Sequence, residues 1–234
     1  MIKNITNIIL TNSGDIHSFS SLRQKFKNVY HFPMIKINYT EYELDFGEFD
    51  YAVFCSKNSV KSLVQNITND KFPKNLKCIS IGTKTSKLLE KFGFKIFLTS
   101  KKSYSKDMIE DIKEIDDLKD SKFLLMQGNL SSNKLYNDLK NITNVKKVIS
   151  YQTTMVKKKS VELENLLYNK ETITVFTSPS SFDAFCLNYN PESTKIISIG
   201  KTTSDYIANK DFKIDLTSKM QTFEKISDEI LKNY

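Results

Sequence analysis

The chain has 234 residues, 39 % of them hydrophobic, and a formal net charge of +8. That length can bury one large core or two ordinary ones, while no stretch approaches the roughly 20 apolar residues that cross a bilayer. The basic excess is almost all lysine, with Arg23 the sole arginine and acidic residues interspersed, which describes a solvated surface rather than a nucleic-acid stripe.

Compact apolar runs alternate with helical patterns along the chain. "NIILTN" (7–12) predicts a first strand followed by a helix, and "VYHFPMIKINY" (29–39) predicts one long strand. "YAVFCS" (51–56), "KCISIG" (77–82) and "KIFLTS" (95–100) predict three strands, followed by the helical patterns "SVKSLVQNI", "TSKLLEKFG" and "DMIEDIKEI". The polar stretch 102–122 reads as a solvated helix and loop. "KFLLMQG" (122–128) with the helix "NKLYNDLKNI" restarts the plan, and "VKKVISYQTTM" (145–155) gives a second long strand. "ITVFTS" (173–178), "KIISIG" (195–200) and "KIDLTS" (213–218) complete the strands, and "TFEKISDEIL" forms a last helix. Nearly continuous apolar strands alternating with amphipathic helices predict parallel sheets covered on both faces.

The two halves repeat each other. Residues 81–100 and 199–218 are identical at ten of twenty positions, and "FCSKNSV" (54–60) answers "FTSPSSF" (176–182). An internal duplication of an α/β unit is the simplest source. The repeated turns carry Ser56, Ser178, Thr85 and Thr203 at predicted strand–helix junctions, with Gly82 and Gly200 beside the threonines. Such hydroxyls cap helix N-termini, and the same turns can offer N–H and hydroxyl donors to carboxylates.

Other chemistry is thinly represented. Cys55, Cys78 and Cys186 are odd in number and form no CxxC pair, so they read as small buried hydrophobes. His17 and His31 have no partner at metal-ligand spacing, and neither a P-loop nor GxGxxG is present. No metal or organic cofactor is expected. The opening "MIKNITNIILTNS" has too short an apolar run for a secretory signal, so a cytoplasmic protein is expected, with no membrane or nucleic-acid partner.

Taken together, "FDYAVFCSKNSV", "ISIGTKTSKLLEKFGFK", "LLMQG" with its helix, "VISYQT", "VFTSPSSFDAF" and "IISIGKTTSDYIANKDFKIDLTS" resemble the uroporphyrinogen-III synthase family. The resemblance implies an α/β fold: two doubly wound parallel-sheet domains joined by a two-stranded antiparallel β ladder. One domain would be 1–33 plus 157–234, the ladder 34–46 and 146–156, and the other domain 47–145. It implies a cyclising hydro-lyase that converts the linear tetrapyrrole hydroxymethylbilane to uroporphyrinogen III, with inversion of ring D and loss of water, in a cleft between the domains. A monomer acting on this small-molecule substrate is expected.

Carried onto this sequence, the resemblance makes Tyr151 of "YQT" the catalytic candidate. A phenol stays protonated at neutral pH and can assist departure of the hydroxyl; without the resemblance it is one of eleven tyrosines, packed on a strand. Substrate-binding candidates are Ser56, Lys57, Gly82, Thr85, Gln127, Gly128, Ser178, Gly200 and Thr203. Gln127 stands where the family tends to carry a basic residue, Asn12 where arginine is common, and Cys55 where threonine is usual, which leaves Lys57, Lys84 or Lys201 to supply charge. The competing reading is a non-catalytic two-lobed binding protein for a small polyanionic ligand.

Overall fold

The computed structural model describes residues 7–14, 16–67, 75–100, 105–115, 118–168 and 171–234. Of the loop expected over 102–122, residues 102–104 and 116–117 lie outside the described set. The chain divides into two compact units: residues 1–36 with 154–234, and residues 37–153.

In the first unit β1 (Asn7–Leu10), β2 (Val29–His31), β9 (Thr172–Phe176), β10 (Lys195–Ser198) and β11 (Leu216–Thr217) form a five-stranded sheet in the order β11-β10-β9-β1-β2. Every pairing in it is parallel. Around it lie α1 (Ser20–Lys25), α6 (Val161–Leu167), α7 (Pro179–Cys186), α8 (Lys201–Ala208) and α9 (Phe223–Asn233). Period-two alternation sorts the strand residues onto two faces. Ile9, Phe176 and Ile196 join one apolar cluster with Phe182, Phe185 and Ile207 of α7 and α8. Ile8, Leu10, Val175 and Ile197 join another, with Leu22 of α1 and Ile226 and Ile230 of α9.

The second unit holds β3 (Ile35–Tyr39), β4 (Tyr51–Phe54), β5 (Lys77–Ile81), β6 (Ile96–Ser100), β7 (Lys122–Gly128) and β8 (Asn144–Met155) in the order β3-β8-β7-β4-β5-β6. The pairings from β8 to β6 are parallel. Its helices are α2 (Lys57–Asn66), α3 (Thr83–Lys91), α4 (Ser105–Lys113) and α5 (Lys134–Lys140). The same sorting puts Ala52, Phe54, Cys78, Leu124 and Met126 in one cluster and Tyr51, Val53, Ile79, Phe123 and Leu125 in the other. Matched by the repeated segments, β6-β5-β4-β7-β8 runs in the same order as β11-β10-β9-β1-β2. The fold is α/β with predominantly parallel sheets.

Four details differ from expectation. The long strand over 29–39 is broken into β2 and β3, which belong to different sheets. Pro33 has no N–H to continue a ladder; the chain leaves β1 with the bond from Phe32 N–H to Leu10 O. β3 then pairs with β8, and the bonds Val156 N–H to Met34 O and Thr40 N–H to Ser150 O make this ladder antiparallel, because one number rises as the other falls. Of 213–218 only Leu216–Thr217 is strand. The helix α6 has no counterpart in the expected plan, although Ser160 caps it and Glu162 and Glu164 occupy its first turn, a readable start signal. Cys186 is exposed rather than buried, because it ends α7 on the outer side; Cys78 is buried as expected. Among the described residues no helix is long and apolar enough to cross a membrane.

Candidate functional site

Parallel strands bring their carboxyl ends to one edge of a sheet, where ligands of open α/β folds bind. In the second unit this edge carries Ser56 after β4, Gly82 after β5, and Gln127 and Gly128 at the end of β7. Tyr151 joins them from β8, paired directly with Gly128.

Ser56 is the N-cap of α2, its oxygen accepting the N–H of Ser59 at 3.3 Å. The Ser56 hydroxyl also donates to the Tyr151 phenol oxygen at 3.2 Å. The phenol proton is thereby left for donation elsewhere. Ser59 anchors the turn by donating to Met126 O at 2.9 Å. Burial raises the pKa of Tyr151 above its ordinary value; the Ser56 hydrogen bond pulls it back and the neighbouring Cys55 pushes it further up. The phenol is therefore firmly neutral at physiological pH. Tyr39 is raised too, by burial and then by Tyr151, which places a second phenol nearby. Lys57 is the first residue of α2, and its side chain is exposed.

Gln127 is only 3 % exposed. Its amide nitrogen lies 3.9 Å from Cys55 Sγ, and its amide oxygen is buried with no hydrogen-bond partner. Burial pushes the Cys55 thiol up to about 11, with the Gln127 contact acting against it, so this cysteine is no ready nucleophile. The matching position in the first unit is Asn12. In register Met126 faces Phe54, and one step beyond the Leu10–Val175 pair Thr11 faces Phe176. The next residues are Gln127 and Asn12. Asn12 is equally buried, and its oxygen too has no hydrogen-bond partner; its amide nitrogen donates to Gly14 O at 3.0 Å. Each unit thus sinks one carboxamide at the same strand end.

The duplicated turns are alike in sequence and unlike in detail. Gly82 caps α3 with φ +77° and open space where a Cβ would stand. Gly200 caps α8 with extended backbone at φ 172°, and a Cβ there would collide with the Gln221 side chain. Neither glycine N–H is available to a ligand: Gly82 donates to Ser100 O at 3.0 Å and Gly200 to Ser198 Oγ at 3.2 Å. Thr85 and Thr203 are the third residues of their helices, buried, and cap neither one; donors at these turns come from the first helical N–H groups. Ser178 does cap α7, in a capping box with Ser181. Lys201 is ion-paired to Asp205 at 2.8 Å.

The structure therefore brings Ser56, Gln127, Gly128 and Tyr151 to one place, with Gly82 and Thr85 on the adjoining strand–helix turn. Ser178, Gly200 and Thr203 make the corresponding group of the first unit. Sequence reasoning missed Ser59, Ser150, Tyr39 and Gln221. Only Ser59 carried a local signal, three residues after a capping serine.

The profile of uroporphyrinogen-III synthase HemD matches residues 19–228. No curated protein matches the chain by sequence. Among solved structures, uroporphyrinogen-III synthetase from Helicobacter pylori superposes with a TM-score of 0.73 at 20 % identity, over 97 % of this chain and 98 % of that one. A mutant uroporphyrinogen III synthase from the extremely thermophilic bacterium Thermus thermophilus gives 0.62 at 14 % identity, with 97 % and 98 % covered. The likeness to these two is one of fold, whereas the profile match spans nearly the whole chain. The chain belongs to the uroporphyrinogen-III synthase family, and its activity is that of a cyclising lyase of porphyrin and heme biosynthesis, closing hydroxymethylbilane to uroporphyrinogen III.

Proposed function

We propose that Tyr151 assists departure of the substrate hydroxyl as an orienting hydrogen-bond donor, and that Ser56, Lys57, Gly82, Thr85, Gln127, Gly128, Ser178, Gly200 and Thr203 hold the substrate. The observation that carries this reading is the bond from Ser56 to the Tyr151 oxygen, which orients a neutral phenol and leaves its proton to give. The electron-rich pyrrole expels its own hydroxyl, so the protein's main task is geometry: holding a flexible chain for attack at the substituted position. The several carboxylate arms of the substrate suit helix N-terminal N–H groups and the exposed Lys57. Residues 1–33 with 157–234 and residues 47–145 act as the two domains, with 34–46 and 146–156 as connecting ladder, and the halves descend from one duplicated unit. The protein works as a monomer in the cytoplasm, without metal or organic cofactor.

The test supplies hydroxymethylbilane to chelator-treated, dialysed protein and resolves the oxidised products into type I and type III isomers. Type III product is expected, with turnover reduced about tenfold in Tyr151→Phe, the size of one lost hydrogen bond of about 1.4 kcal/mol. Full activity in Tyr151→Phe removes the role given to the phenol. Tight substrate binding with no type III product would instead favour a non-catalytic binder.

A further inference from the structure

The ladder between β7 and β8 pairs residues one to one from Lys122–Asn144 to Gln127–Ile149, and then Gly128 pairs with Tyr151. Ser150 is the extra residue. A bulge of this kind bends its strand and re-aims the side chain that follows. Ser150 is fully buried and fixed from three sides. Its hydroxyl donates to Gln127 O at 3.3 Å, and its carbonyl accepts from Ser62 Oγ at 2.5 Å and from Thr40 N–H at 3.0 Å.

The re-aimed ring of Tyr151 lies across Gly128. A Cβ at position 128 would stand 2.5 Å from Cε2 and Cζ and 2.8 Å from the phenol oxygen, distances no real side chain tolerates. The backbone makes no such demand, because Gly128 is not among the glycines with positive φ. What a side chain here would meet is the ring, which would have to move aside. The result of bulge and glycine together is a phenol oxygen within 3.2 Å of Ser56.

We propose that Gly128 and Ser150 are positioning residues, the bulge turning Tyr151 out of alternation and the missing side chain giving its ring a seat beside Ser56. This rests on the role proposed above for Tyr151, and the test keeps the two apart. Gly128→Ala, Tyr151→Phe and the double variant are assayed for kcat and KM, and ring-labelled tyrosine reports Tyr151 by NMR, its signal assigned by loss in Tyr151→Phe. Gly128→Ala is expected to shift the Tyr151 ring signal and to lower kcat about tenfold, while lowering kcat no further in the Tyr151→Phe background. An unmoved ring signal in Gly128→Ala overturns the proposal. A moved signal with full activity in Tyr151→Phe leaves the positioning intact and removes the catalytic role instead. If Gly128→Ala does not fold, Gly128→Ala with Tyr151→Ala decides: recovery of a cooperative melt supports the ring as the cause, and continued failure overturns it in favour of a backbone requirement.

Discussion

The Ser56 hydroxyl lies 3.2 Å from the Tyr151 phenol oxygen, although the two residues are 95 positions apart in the chain, and the same Ser56 oxygen accepts the N–H that caps α2. One side chain thus ties a helix start to the candidate proton donor. Ser56→Ala is expected to lower the melting temperature by a few degrees, since a lost cap costs about 1 kcal/mol. It should also raise the Tyr151 pKa further, because the Ser56 bond is what pulls that value down. Ultraviolet phenol titration of Ser56→Ala against the same variant carrying Tyr151→Phe reads the shift. An unchanged Tyr151 titration would mean that the contact is not maintained in solution.

Thr85 and Thr203 are the third residues of α3 and α8 and cap neither helix. Their replacement by alanine should therefore leave the melting temperature within a few degrees of wild type. If their hydroxyls serve substrate carboxylates, each variant loses a charge-assisted bond of about 1.5–3 kcal/mol and turnover falls about tenfold or more. Wild-type isomer-resolved rates in both variants would withdraw the threonines from the site.

The two duplicated glycines should respond to different rescues. Gly82→Ala forces a side chain onto left-handed backbone, a cost of about 1–2 kcal/mol that no trimming of neighbours relieves. The atoms nearest a Cβ at Gly200 all belong to the side chain of Gln221, so Gln221→Ala should restore its stability. Thermal melts of the four variants check this, and a Gly200→Ala defect that persists beside Gln221→Ala would contradict it.

Alkaline pH should loosen the core around Cys78. Burial pushes this thiol from 9 to about 12 and Tyr42 from 10 to about 12, and Tyr42 packs against the cluster that contains Cys78. Each keeps its proton in the fold where the unfolded chain has lost it. The unfolded state then binds fewer protons, so stability is intact below about pH 9 and declines as pH rises toward 12. Urea midpoints measured from pH 8 to 11 should fall for wild type and fall less steeply for Cys78→Ala. Parallel slopes would show that Cys78 does not titrate with unfolding.

Strand–helix alternation and the repeated turns were readable because they rest on local pattern: apolar runs such as 122–128, and a serine three residues ahead of another at Ser56 and Ser178. The break at Pro33 was readable in principle, since proline cannot extend a ladder, but the flanking apolar residues disguise it as one strand. The place of Tyr151 was not readable. Its approach to Gly128 depends on one residue being left over when β8 pairs with β7, and register is a property of two strands that neither encodes alone. The Gln221 side chain over Gly200 likewise comes from a segment with no pattern of its own.

One interior strand of the first unit, β1, waits for its partner. β1 pairs on one side with β2, close by in sequence, and on the other with β9, so that Asn7 bonds to Thr172 across 165 residues. At ordinary synthesis rates of about 5–20 residues per second, β9 follows β1 from the ribosome by roughly ten to thirty seconds. The second unit is contiguous over 37–153 and emerges wholly within that interval. During synthesis the inserted unit can therefore close first, while β1 and β2 stand with an apolar flank uncovered. A nascent chain arrested with residue 153 just clear of the ribosome should present protease-resistant structure in the middle and a digestible amino-terminal arm.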